Sequence, residues 1–259
     1  MNYWTQLSIE YANQRNYLDS LFSVYPTIPD GIREINIEIW ESIEGAFNNK
    51  DDTELLRLLL SFNLFPIKDS YVAYLKKDKS SLERNPATVA RLTGRLREMG
   101  LTKIFERCSE PKETNRQIGP LFKRWIEKET LGAPLQKMNE FISHKGNAIL
   151  HASDNEMMKF ASKKLGYERY KGLDFVARFN KKYIIGEAKF LTDFGGHQNA
   201  QFADGISTIL TPNVKAKIIG IFDGVCYIKG KNKLYKHLEL YSKYDIMSAL
   251  VLREYLHQV

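Results

Sequence analysis

The sequence predicts an α/β chain, with a central mixed β-sheet flanked by helices in its C-terminal part and a helical N-terminal region before it. Three observations predict this. Residues 172–179 (Gly-Leu-Asp-Phe-Val-Ala-Arg-Phe) and 183–189 (Tyr-Ile-Ile-Gly-Glu-Ala-Lys) are apolar runs around an Asn-Lys-Lys break, the pattern of a β-hairpin. Residues 218–222 (Ile-Ile-Gly-Ile-Phe) read as the centre of a buried strand. Through the first hundred residues, apolar side chains recur at helical spacing.

Taken in order, residues 3–24 place Trp4, Leu7, Tyr11, Leu18, Leu21 and Phe22 on a helical period that Pro26 and Pro29 close. Asp30 then caps a helix carrying Ile35, Ile39, Ile43 and Phe47. Another follows Asp51 with Leu55, Leu56, Leu58, Leu59 and Phe62, and Pro66 stops it. Residues 71–75 give a short helical turn. Asn85-Pro86 opens a helix through Val89, Leu92 and Leu96 to Gly100, because proline suits a first helical turn. Its Arg91, Arg95 and Arg97 either touch DNA phosphates or form a solvated face.

The polar stretch 106–117 marks a boundary, dividing the chain into a helical region 1–112, suited to DNA binding or dimerisation, and a core 113–259. Thr114 and Gln117 fit a capping box opening a helix with Ile118, Leu121, Phe122, Trp125 and Ile126, which Gly132 ends. A helix over 135–143 and a short strand over 147–151 follow. Ser153 and Glu156 form a second capping box, and that helix runs through Met157, Phe160, Ala161 and Leu165 to Gly166. Beyond the hairpin, Phe202, Ile206 and Ile209 define a helix ended by Pro212, before a strand over 215–223. Residues 225–228 and 234–235 look like edge strands. Lys229, Lys231, Lys233 and Lys236 either blunt that edge or face phosphates. An amphipathic helix over 245–256 closes the core or forms a dimer surface.

The 259 residues suffice for a sizeable core. A net charge of +7 suits a polyanionic partner without requiring one. Two cysteines, Cys108 and Cys226, are too few for a disulfide scaffold or a zinc cluster, and reduced thiols imply the cytoplasm. No apolar run reaches membrane-spanning length, no basic-then-apolar signal pattern opens the sequence, and no repeat is visible.

Inside the hairpin, Asp174, Glu187 and Lys189 interrupt runs that otherwise read as buried, and a buried carboxylate needs a partner or a metal. Alternation puts Glu187 and Lys189 on one face and Gly186, Ala188 and Phe190 on the other. A three-residue loop, 180–182, sets Asp174 opposite Ala188. A two-residue loop at Asn180-Lys181 sets it opposite Glu187, and asparagine tolerates the left-handed backbone such a turn needs. The two-residue register, or an equivalent bulge, is expected. Two carboxylates and an ammonium then converge where a hard cation such as Mg²⁺ fits, with Lys189 orienting or deprotonating water. The competing reading is a surface hairpin with a solvated Glu–Lys pair. Against it, the other Glu-x-Lys, Glu110 with Lys112, lies in a polar, proline-containing segment.

Asp174, a gap of twelve residues, then Glu187-Ala188-Lys189 resembles the PD-(D/E)XK nuclease superfamily, and within it the type II restriction endonucleases. The likeness covers about residues 150–225, with Leu173 standing where the motif often has proline. The string Asn115-Arg116-Gln117-Ile118-Gly119-Pro120 also resembles a segment ahead of some restriction-enzyme cores. The resemblance implies a restriction-endonuclease-like core in the order helix, three antiparallel strands, helix, strand. It implies Asp174 and Glu187 as metal ligands joined by the Ala188 carbonyl, Lys189 as the catalytic lysine, and Glu156 or Glu140 as a further carboxylate. Glu156 also serves its own capping box.

The expected activity is Mg²⁺-dependent, site-specific hydrolysis of double-stranded DNA by a homodimer, accompanied by a cognate DNA methyltransferase. Sequence readout is expected after Lys189, where Gly195-Gly196 precede His197, Gln198, Asn199 and Gln201. Glutamine and asparagine can bond adenine in the major groove, although some of these residues serve only to cap the next helix. Another nuclease of the superfamily (repair nuclease, junction resolvase or transposase subunit) and a non-catalytic DNA-binding protein are the alternatives.

Overall fold

A computed structural model describes residues 1–13, 16–26, 33–111 and 114–259, and of 114–117 the backbone alone. Asp30, proposed above as a cap, and the side chains of the Thr114–Gln117 box lie outside the described residues. The chain forms two compact units, one of Met1–Thr27 with Thr114–Val259, the other of Ile28–Glu113. The larger unit thus draws on both ends of the chain, and the smaller one is the stretch between them. The first 27 residues belong with the core rather than with the helical region.

The reason is polar as well as apolar. Helix α1 (Tyr3–Ala12) is capped by Asn2, whose side chain accepts the Thr5 N–H. The Thr5 hydroxyl donates to the Ile246 carbonyl at 2.8 Å, and Ser8 Oγ accepts from the Ser248 N–H at 2.9 Å. From α2 (Tyr17–Val24) and its end, the Tyr17 hydroxyl accepts the Gly224 N–H at 3.1 Å, and the Tyr25 hydroxyl donates to Asp223 at 2.9 Å. Buried polar groups must be paired, so these bonds fix the two helices on the core.

The second unit holds α3 (Ile37–Asn48), α4 (Asp52–Ser61), α5 (Val72–Lys77), α6 (Ser81–Arg84), α7 (Pro86–Met99) and α8 (Leu101–Cys108). Asn36 caps α3 and Asp51 caps α4. Its own core gathers Ile43, Leu55, Leu56, Leu59, Leu92, Leu96 and Ile104. The stretch from 106, read above as a polar break, begins as the last turn of α8.

In the larger unit, α9 (Thr114–Glu127) precedes β1 (Leu135–Gln136), α10 (Met138–Ser143) and β2 (Ala148–Leu150). Helix α11 (Asp154–Leu165) has the capping box at Ser153 and Glu156, and Gly166 ends it in the left-handed region. Strands β3 (Phe175–Phe179) and β4 (Lys182–Leu191) form the hairpin. Helix α12 (Gly196–Ile209), β5 (Lys217–Gly224), α13 (Lys233–Leu240), β6 (Ile246–Met247) and α14 (Ala249–Gln258) complete it. The six strands lie in sequence order; β2–β3 and β3–β4 are antiparallel, while β1–β2, β4–β5 and β5–β6 are parallel. This is a mixed sheet flanked by helices.

Three expectations are corrected. Residues 135–143 are a two-residue strand followed by a helix. Residues 225–227 form a 3₁₀ turn and 233–240 a helix, so the lysines at 229–236 guard no edge strand. Asn232 caps that helix by accepting the Tyr235 N–H, which local apolar pattern does not reveal. Finally, β6 precedes the last helix.

Candidate active site

The hairpin turn has the two-residue form. Asn180 and Lys181 carry φ of 48° and 65°, as a tight turn of matching twist requires. Phe179 pairs with Lys182 and Phe175 with Gly186. One step further the ladder ends, and Asp174 lies across from Glu187. The Asp174 N–H still donates to the Gly186 carbonyl at 3.2 Å, while the Asp174 carboxylate accepts the Ala188 N–H at 2.9 Å. A side chain thus continues the ladder by one rung and fixes the Asp174 rotamer.

Glu187 is only 2 % exposed, and β4 is paired there on its other side, with Gly220 of β5. Its Oε1 accepts from the ammonium groups of Lys189 at 2.6 Å and Lys171 at 2.5 Å. Its Oε2 is buried and has no hydrogen-bond partner. A buried carboxylate oxygen left without a donor is costly, and a cation is the partner that satisfies it.

Sequence reasoning missed three residues here. Asp204 of α12 accepts from Lys171, from Arg169 at 2.6 Å, and faces Lys189 at 3.6 Å. Helix α12 reaches the sheet because Gly205 sits against the Phe222 ring and the Lys189 stem. The lone carboxylate of a helix packed on the strand of Lys189 was the available signal. Nothing in the sequence says which face it takes. Lys171 and Arg169 lie close to Asp174 in the chain, but their inward direction is a property of the loop.

Burial, and then the Glu187 charge, push the Asp174 carboxyl up to about 7, against the help of the Ala188 N–H. Burial opposes the charge on Lys189, yet Glu187, Asp174 and Asp204 together hold its ammonium above the ordinary value. Partial burial also works against Asp204, but Lys171, Lys189 and Arg169 hold it below the usual carboxylate range. Lys189 is thus a charged donor at neutral pH.

Glu127 of α9 and His151, 3.8 Å apart, share with Asp174 the walls of a cavity of about 40 Å³, enough for a water molecule. Glu156 accepts the Ser153 N–H and hydroxyl, which is its capping role. Glu140 is exposed on α10. Neither is brought to Asp174 and Glu187. Among the described residues, no group of three His, Cys, Asp or Glu side chains is gathered to hold a metal. A cation here would draw on two carboxylates and main-chain or water oxygens.

The readout candidates separate. Gln198 is buried, bonding Thr192 through both ends of its amide at 3.3 and 3.2 Å. Asn199 donates to the Phe194 and Gly195 carbonyls, tying the glycine loop to α12. His197 is exposed and bonds the half-buried Gln201 at 2.9 Å, so these two are bonded to each other rather than to the loop. In the helical unit, Arg91 pairs with Asp69 at 2.5 Å and lies over the Tyr71 ring; Arg95 pairs with Glu98 at 3.3 Å in solvent. An exposed pair of that kind is weak and readily exchanged.

No helix among the described residues is long and apolar enough to cross a membrane. No curated protein and no solved structure matches the chain significantly. A family model does, over residues 2–259, and it is that of the Tsp45I type II restriction enzyme. A match across both compact units and through the hairpin shows that the chain belongs to the Tsp45I type II restriction enzyme family and is a site-specific deoxyribonuclease.

Proposed function

We propose that this enzyme cuts duplex DNA with Mg²⁺ at the Asp174–Glu187–Lys189 centre, as a member of the PD-(D/E)XK superfamily. The observation that carries the reading is the buried, donorless Oε2 of Glu187 beside Asp174, with Lys189 on the companion oxygen. Asp174, Glu187 and the Ala188 carbonyl would hold the cation. When bound, magnesium supplies a positive charge to the phosphodiester and lowers the pKa of a coordinated water. Asp174 is fixed by the Ala188 N–H, and Lys171 and Lys189 hold Glu187 in its rotamer. Lys189, protonated at neutral pH, is suited to orient the attacking water and to meet the developing charge on the phosphate.

His197 and Gln201 are proposed to contact DNA, and Arg91 and Arg95 its phosphates once they leave their carboxylate partners. The helical unit would then have a DNA-binding or dimerising role. A homodimer would match the two-fold symmetry of a palindromic site. A cognate DNA methyltransferase would protect host sites, both enzymes working in the cytoplasm. Incubation with DNA of known sequence and Mg²⁺, followed by mapping of the ends, tests the proposal. Discrete fragments that vanish on chelation are expected. Intact DNA with every divalent cation tried would end it.

A pH dependence follows. Because the folded chain raises Asp174 from 3.8 to about 7, its contribution to the stability of the metal-free enzyme is full below pH 3.8. That contribution fades as the pH rises to about 7. Cation binding runs the other way, since a ligand carboxylate must lose its proton. Calorimetric titration with Ca²⁺ should show affinity falling about tenfold per pH unit below 7, with proton release. An affinity that is flat from pH 5.5 to 8 would remove Asp174 from the site.

A further inference from the structure

Tyr170 is 96 % exposed, more than any other large hydrophobic among the described residues, where Ile37 at 73 % comes next. It is held out by its neighbours. The Lys171 N–H donates to the Arg169 carbonyl at 2.8 Å, closing a three-residue turn with Tyr170 at its apex. The side chains on either side turn inward to one carboxylate. Arg169 donates to the side chain of Asp204 at 2.6 Å and to its carbonyl at 3.3 Å, and Lys171 bonds both Asp204 and Glu187. An aromatic ring is thus mounted on a turn clamped on both sides, one residue from an ammonium that touches the buried glutamate.

Leaving a ring in water on a well-anchored turn forgoes its burial, while presentation on a fixed backbone reduces the ordering cost of a contact. Tyrosine adds large area with only two side-chain torsions to freeze. Beside it lie the partly exposed Arg169, Lys171 and Lys189, paired with Asp204 and Glu187, and three cations against two carboxylates leave an excess that suits a polyanion. We propose that Tyr170 is a DNA-contacting residue, packing its ring on the sugar or base of a nucleotide beside the phosphate that is cut. This rests on the reading of Asp174, Glu187 and Lys189 as the catalytic centre. Asp204 is then the positioning residue that holds the turn, through Arg169 and Lys171.

The test uses a duplex oligonucleotide containing the mapped cleavage site, with 2-aminopurine placed beside the scissile position. Binding is measured for Glu187→Gln alone and combined with Tyr170→Ala or Tyr170→Phe, and cleavage for the single Tyr170 variants. With one base–aromatic stack lost, Tyr170→Ala should weaken binding about tenfold, the loss falling in KM. Tyr170→Phe should stay within about twofold of the parent, because the ring and not the hydroxyl carries the contact. The 2-aminopurine signal should change on binding of the parent and not of the Ala variant. Thermal unfolding should be unaltered, since the ring is exposed.

Binding and cleavage by Tyr170→Ala equal to the parent would overturn the proposal. So would a Tyr170→Ala defect traced by sedimentation to loss of a dimer, which would make the ring a contact between copies. Cleavage that survives Glu187→Gln would instead overturn the catalytic centre, a result distinct from either.

Discussion

Replacing Glu187 by glutamine should abolish cleavage, lowering the rate by a factor on the order of a thousand or more, as loss of one preorganised polar group in a catalytic site does. Glutamine keeps the shape and removes the charge. The donorless Oε2 is replaced by an amide nitrogen that does not attract a cation, and Oε1 becomes a neutral acceptor for Lys171 and Lys189. Both ammoniums keep Asp204 nearby, so the fold should survive. The surface around them gains one positive charge, and metal-free binding to duplex DNA should be undiminished or tighter. Single-turnover cleavage, gel-shift titration and a melting curve together distinguish this from unfolding. A variant cutting at a tenth of the parental rate would place the chemistry elsewhere.

The largest loss of stability is expected from Gly224→Ala. Gly224 ends β5 with φ of 92°, a conformation open to glycine and strained for alanine. A Cβ there would stand 2.1 Å from the Leu191 carbonyl oxygen and 3.0 Å from its carbon, which are backbone atoms of β4 that cannot step aside. The two strands would have to part at that pair. Displacement would also break the bond from the Gly224 N–H to Tyr17 and disturb Asp223 next to it, which holds Tyr25, Ser248 and the Ala249 N–H. A cost of about 3 kcal/mol or more is expected from the strain and clash together. That lowers the melting temperature by roughly 10 °C at this size, read by calorimetry. A shift under about 2 °C would mean that the close approach of these strands is absent in solution.

Legibility followed the range of the interactions. The hairpin was readable because its evidence is local: two apolar runs, an asparagine able to take positive φ, and charges whose face depends on a single register. The capping box formed by Ser153 and Glu156 and the glycine stop at Gly166 were readable for the same reason. Residues 225–240 were misread, because an apolar-and-lysine pattern fits either an edge strand or a short helix. The cap at Asn232 decides between them. That α1 and α2 pack with the C-terminal unit is not visible in the sequence, because they look like the helices that follow them. Contacts such as those of Thr5, Ser8, Tyr17 and Tyr25, with residues more than 190 positions away, show where those helices belong.

The sequence by itself determined the mixed α/β architecture, the hairpin register and the pairing of Asp174 with Glu187 ahead of Lys189, since each is set by side-chain alternation and turn stereochemistry within twenty residues. The tertiary structure alone decided which other charges join them. Asp204 reaches the site from a helix whose approach depends on Gly205 meeting Phe222, and Lys171 and Arg169 turn inward because that carboxylate is there to receive them. Such choices rest on distances between segments far apart in the chain, and a linear pattern of residue types carries no distances.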